Sequence, residues 1–276
     1  MTGPTRRRTR LTDKETEERM LTAAVDMVGE TGLTVSLEHL SFEDVIRRAG
    51  VARSAVYRRW PYKDLFFSDL LRELSKGAVP AEFGSETSVR EVAEAVSARL
   101  YLLATPEGRH RLLSEVVRAN RDFETVRHST AWRSYLALHA TFLSLEDGPL
   151  RDDVREALTA AEHGFVTRIA DAHRQFARLL GYRIRPEVGA GFETLATLLN
   201  AALRGMLLME PTIPGLSSER IEGRPFGAVA SAEWSPSALA LGAIEWTFLE
   251  PDPDVVWNEK RVAEARDALE RIARGD

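Results

Sequence analysis

Apolar residues recur at intervals of three and four along almost the whole chain of 276 residues. The strict alternation of a half-buried strand is missing. That periodicity predicts helices nearly throughout, so the expected fold class is all-α. The length fits one or two domains and is ample for a buried core. With 44% hydrophobic and 29% charged residues, the composition is that of a soluble globular chain. There is no cysteine, which excludes a disulfide scaffold, thiol catalysis and thiolate zinc sites. No apolar run approaches the roughly 18 residues of a membrane span. The arginine-rich start lacks the apolar segment of a signal peptide, so a cytoplasmic protein with no membrane partner is expected.

Charge is distributed unevenly. The net charge is −5, yet the first 78 residues carry +2 and the other 198 carry −7. From Arg47 to Lys63 there are six basic side chains and no acidic one. Such an island on an acidic protein points to a small anion-binding module attached to a larger body.

The local pattern gives the island a shape. A first helix is expected from about Asp13 to Gly29, with Thr12 and Glu15 forming a capping box. Its inner stripe is Leu21, Ala24, Val25 and Val28. A second helix starts after Ser41, buries Val45, Ile46 and Ala49, and stops at Gly50. A short third helix covers Ala52 to Arg59. Its inner side is Ala52, Ala55 and Val56, and Arg53, Ser54, Tyr57 and Arg58 face outward. Pro61 opens a fourth helix with Leu65, Phe66, Leu70 and Leu74 on its buried side. Two short helices joined at a glycine, the second small inside and basic outside, describe a helix-turn-helix whose second helix enters a major groove.

The stretch from Ala49 to Phe66 resembles the DNA-binding signature of the TetR family of bacterial transcription regulators. The matching residues are Ala49-Gly50-Val51, Tyr57, Trp60 and Lys63, and the resemblance covers about residues 12–75. The chain departs from the pattern in several places. Ala52 stands where the family has a capping serine, a loss of about 1 kcal/mol. Ser54-Ala55 replaces a Gly-Thr pair, and Arg58-Arg59 an aromatic-His pair. The stretch between Gly32 and Ser41 is longer by about four residues. These differences bear on base preference rather than on docking.

The resemblance implies a division of roles. Arg53, Ser54, Tyr57 and Arg58 are the expected DNA contacts, with Arg58 suited to guanine because a guanidinium matches its O6/N7 pair. Arg59 turns back to phosphate, Lys63 binds phosphate, and Ser41 caps its helix and meets phosphate as well. Trp60 belongs to the core. Arg6, Arg7, Arg8 and Arg10 form an arm suited to the minor groove or backbone; the bland alternative is a solubilising tail.

A break from Ala78 to Ser88 separates this module, residues 1–78, from a helical body, residues 79–276. Body helices are expected at about 88–104, 106–120, 122–145, 150–181, 186–209, 236–249 and 254–274. In the family the body binds a small molecule and dimerises through two late helices. The small residues of 186–209 and 236–249 suit close helix packing, between copies or within one chain. Trp132, Tyr135 and His139 share one helical face, and with Phe165 they are the expected ligand contacts, a core role being the alternative. Arg204, in an apolar stretch, needs an acidic partner or ligand. The segment 211–235 is expected to be a long loop, a lid or a dimer arm.

None of the six histidines has a metal-binding spacing such as H-E-x-x-H, and no nucleophile elbow is present. No cofactor or metal is expected. The sequence thus implies a homodimeric transcription regulator, a repressor released from a palindromic operator by a small effector. The alternatives are a DNA-binding protein without an effector and, more remotely, an all-helical enzyme.

Overall fold

The computed structural model describes residues 11–34, 40–77, 86–119, 122–228 and 230–274. Arg6, Arg7, Arg8 and Arg10, and the break from Ala78 to residue 85, lie outside the described residues. The helices, in chain order, begin with α1 (Asp13–Thr31), α2 (Phe42–Ala49), α3 (Arg53–Arg59), α4 (Lys63–Lys76), α5 (Glu86–Ser97) and α6 (Pro106–Ala119). Then come α7 (Asp122–Arg127), α8 (Thr130–Ser144) and α9 (Pro149–Leu180). Strand β1 (Tyr182–Ile184) precedes α10 (Phe192–Met209), α11 (Gly215–Ser218), β2 (Ile221–Gly223) and β3 (Ala232–Trp234). The chain continues with α12 (Pro236–Phe248), β4 (Leu249–Pro251) and α13 (Glu259–Arg274).

Helix dominates, as the periodicity implies, with four three-residue strands added among the described residues. β1 pairs antiparallel with β4, and β2 with β3. Three residues are too few to display alternation, so nothing in the sequence marked them. Other boundaries also differ from expectation. The helix expected over 122–145 is two, because Ser129 caps α8 by accepting from the Trp132 amide at 3.2 Å. The one expected over 88–104 ends at Ser97, and a 3-10 turn covers Leu100–Ala104. α4 starts at Lys63 rather than Pro61, and Leu65 is exposed.

The chain divides into two compact units. α1–α4 group with residues 129–162, and α5–α7 group with residues 163–276. The first unit therefore takes in a segment that the sequence placed in the body. The reason is apolar packing. Met20 and Ala24, Val45, Val56, and Phe66 and Leu70 come from α1 to α4. Leu138 of α8, and Val154 and Leu158 of α9, complete the same buried cluster. Each large side chain sealed there contributes about 1.5–3 kcal/mol. Ser134 of α8 adds a polar tie, accepting from the Leu33 amide at 2.9 Å.

In the second unit α13 packs along α5, and α10 along α12. α10 buries Leu195, Ala196, Leu199 and Leu203. Across β1 and β4, Arg183 donates to Glu250 at 2.9 Å between directly opposed positions. Among the described residues no helix is long and apolar enough to cross a membrane.

Candidate nucleic-acid interface

The interface is built on α2 and α3. Ser41 caps α2, its hydroxyl oxygen accepting from the Asp44 amide at 3.3 Å. Val45 and Ile46 turn inward and fix which face of α2 is wet. Gly50 ends the helix at φ 65 and ψ 30, a left-handed conformation that favours glycine. α3 then begins at Arg53 with Ala52 at its N-cap and no side-chain capping bond. Val56 is fully buried and Ala55 half-buried, which holds α3 close against the cluster.

The opposite side of α3 is exposed: Arg53, Ser54, Tyr57 and Arg58 all face solvent. Arg59 does not join them. Its Nε donates to Glu17 at 2.9 Å and a terminal nitrogen to Asp69 at 3.1 Å, while the guanidinium lies 5.1 Å from the Trp60 ring. Its hydrogen bond to Glu17 raises its pKa. Arg59 thus ties α3 to α1 and α4. Trp60 is fully buried, and its indole N–H donates to Asp69 at 2.9 Å. Arg72 also donates to Asp69, at 3.0 Å, so one carboxylate serves three donors.

Most arginines of the basic island are paired with carboxylates outside the stretch from Arg47 to Lys63. Glu43 of α2 lies 2.5 Å from Arg53 and accepts from the Tyr57 hydroxyl at 3.1 Å. That hydrogen bond raises the Tyr57 pKa. Arg58 pairs with Asp13 of α1, and Arg47 with Asp44. Arg48 forms a two-pronged pair with Glu30 at 2.7 and 2.6 Å, which raises the arginine pKa and lowers that of the glutamate. Lys63, in the first turn of α4, is exposed and has no acidic partner among the described residues. The signal that could have revealed the pairing is the acidic face of α1, whose Asp13 and Glu17 lie one turn apart.

The expected ligand contacts are divided between the units. Trp132 and Tyr135 are buried in the first, with ring centroids 5.3 Å apart. The His139 ring lies tilted against Tyr135, centroids 4.4 Å apart, and its Nε2 is 3.2 Å from Glu162. Phe165 is buried in the second unit under the Arg168 guanidinium. There Arg204 donates to Asn200, one turn back on α10, at 3.0 Å. The segment 211–235 is not a bare loop, for it holds α11, β2 and β3. Among the described residues no group of three or more His, Asp or Glu side chains could hold a metal ion.

No protein-family model and no curated protein matches the chain. Among solved structures it is similar to the reduced form of NemR from E. coli, at 13% identity and a TM-score of 0.42. That match covers 85% of this chain and 98% of NemR. It is also similar to NalD of Pseudomonas aeruginosa, described as a secondary repressor of a multidrug efflux pump. There the identity is 19%, the TM-score 0.37 and the coverage 88% and 100%. A TetR-family regulator from Agrobacterium tumefaciens matches at 15% identity and a TM-score of 0.38, over 94% and 98%.

Proposed function

We propose that the chain is a sequence-specific DNA-binding transcription regulator of the TetR type, with α3 as the helix that enters the major groove. One observation carries this reading. α3 follows the left-handed turn at Gly50, packs inward through Val56, and turns Arg53, Ser54, Tyr57 and Arg58 outward together. Guanidinium, hydroxyl and phenol groups on one short helix suit base edges and phosphates. Lys63 and the arm of Arg6, Arg7 and Arg8 add backbone contacts, while Arg59 braces the helix. The division of labour is a reading head within residues 1–78 and an effector-binding, dimer-forming body within 79–276.

The protein acts as a homodimer and a repressor. α10 and α12, within 186–209 and 236–249, form the dimer face. In support, Leu198, Leu208 and Met209 are exposed on α10 and Ala243 on α12. Two-fold symmetry calls for a palindromic operator with half-site centres one or more helical turns apart, about 34–36 Å per turn. A small effector releases the operator by binding the non-DNA-binding state more tightly.

Selection of bound duplexes from a randomised library, at near-physiological salt, tests the reading. Enrichment of one palindrome is expected. Weak, salt-sensitive binding without enrichment would overturn it.

A further inference from the structure

The segment between α10 and α12 builds something that the DNA-reading face does not use. β2 and β3 pair with Ile221 opposite Trp234. Between them Pro225–Gly227 makes a tight turn with Phe226 at φ 57. A bulky residue occupies that left-handed region only when its surroundings hold it there. Here they do. The Phe226 carbonyl is 2.7 Å from His110 Nε2 of α6. Its ring stacks on Trp246 at 5.0 Å and meets Trp234 edge-on at 5.6 Å. α12 has a glycine beneath it, since a Cβ at Gly242 would stand 2.7 Å from the Phe226 ring.

A cavity of about 290 Å³ lies between α6 and this hairpin. That is the lower end of the range for small-molecule sites. One wall is mostly apolar, made by Ala228, Ala230, Ala232 and Trp234, with Ser231 among them. The other is the face of α6, with Glu107 and His110 at one end, Arg111, Ser114 and Glu115 between, and Arg118 about three turns from Glu107 at the other end. The charge on Arg118 gives the space its chemical preference, while the Trp234 indole N–H is closed to a ligand. Trp234 is 2% exposed, and its indole nitrogen is sealed from solvent with no acceptor among the described residues. Buried donors nearly always have one. Arg118 is exposed and has no acidic partner among the described residues. The nearest carboxylate on its own helix face, Glu115, is taken by Arg99 at 2.7 Å and Arg111 at 3.0 Å.

We propose that this cavity binds a small planar aromatic carboxylate, its ring against Trp234 and the alanines and its carboxylate on Arg118. His110 Nε2 is committed to Phe226 and is not the anion contact. Phe226 then relays occupancy to α12 through Trp246. Only this last step rests on the reading of the chain as an effector-controlled regulator.

The test is calorimetric titration of the full chain, without DNA, with 2-naphthoate and with uncharged 2-naphthamide of similar shape. Naphthoate is expected to bind saturably and about fivefold more tightly than the amide. Arg118→Gln, at an exposed position, should erase that preference. Ala230→Phe, also at an exposed position, should fill the cavity and weaken both ligands. No saturable naphthoate binding, or equal binding by parent and both variants, would overturn the proposal. Because DNA is absent, a chain that selects no operator can still pass this test, and one that selects an operator can still fail it.

Discussion

The Glu43 carboxylate of α2 lies 2.5 Å from the Arg53 guanidinium of α3. A side chain expected to meet DNA is therefore already matched, in the free protein, by an anion of its own fold. Phosphate must compete with that carboxylate. Glu43→Gln keeps an acceptor for Tyr57 but releases the charge on Arg53. Affinity for random duplex should rise, and the slope of log K against log salt should steepen by about one unit. Binding titrations at several salt concentrations measure both. An unchanged slope would show that Arg53 does not reach phosphate.

Lys63 and Arg58 should respond differently. Lys63→Ala should weaken binding to all sequences and reduce the salt slope by about one. Arg58→Ala should relax preference at one operator position, at a cost of about 1–3 kcal/mol for the preferred base. Library selection on each variant separates the two. A uniform loss for Arg58→Ala would remove its base-reading role.

Asp69 accepts from Arg59, from Arg72 and from the buried Trp60 indole. Asp69→Ala leaves that indole without an acceptor and should destabilise the protein by about 1–3 kcal/mol. Chemical denaturation should show a lower midpoint with an unchanged slope. Trp60→Phe in the Asp69→Ala background should recover part of the loss, since it removes the stranded donor.

Burial pushes the Tyr182 phenol up from 10.0 to about 12. A raised folded value means that its contribution to stability is complete below about pH 10, where the unfolded phenol begins to ionise. It is lost as pH rises through about 12, by on the order of 2 kcal/mol. Tyr182→Phe should flatten the stability profile between those pH values. Denaturation series at pH 9, 10 and 11 would detect it, and identical slopes for parent and variant would contradict the burial argument.

The helix-turn-helix was legible because its determinants are local. Ser41 caps within three residues, Gly50 ends a helix by its own backbone freedom, and Val56 follows helical spacing. The partners of the arginines were not legible. Asp13 and Arg58 are 45 positions apart, and only the packing of α1 against α3 brings them together. Spacing also could not separate core from pocket, since Trp132 and Tyr135 would show the same stripe in either case. The inclusion of α8 with α1–α4 depends on Leu138, whose apolar character is common to every helix of the chain. Strands of three residues gave periodicity too little length to register.

The carboxylate with three donors has a consequence for how such a sequence can drift. Position 60 depends on the acceptor at 69 alone, whereas Arg59 also holds Glu17 and Arg72 also holds Asp153. A change at Asp69 alone strands the buried indole and removes one of two partners from each arginine, whereas a change at any one donor strands less. Neutral paths through sequence space should therefore alter the donors before the acceptor. In diverging descendants positions 60 and 69 should vary as a correlated pair, while Ser54, exposed on the same helix as Arg59, is free of that constraint.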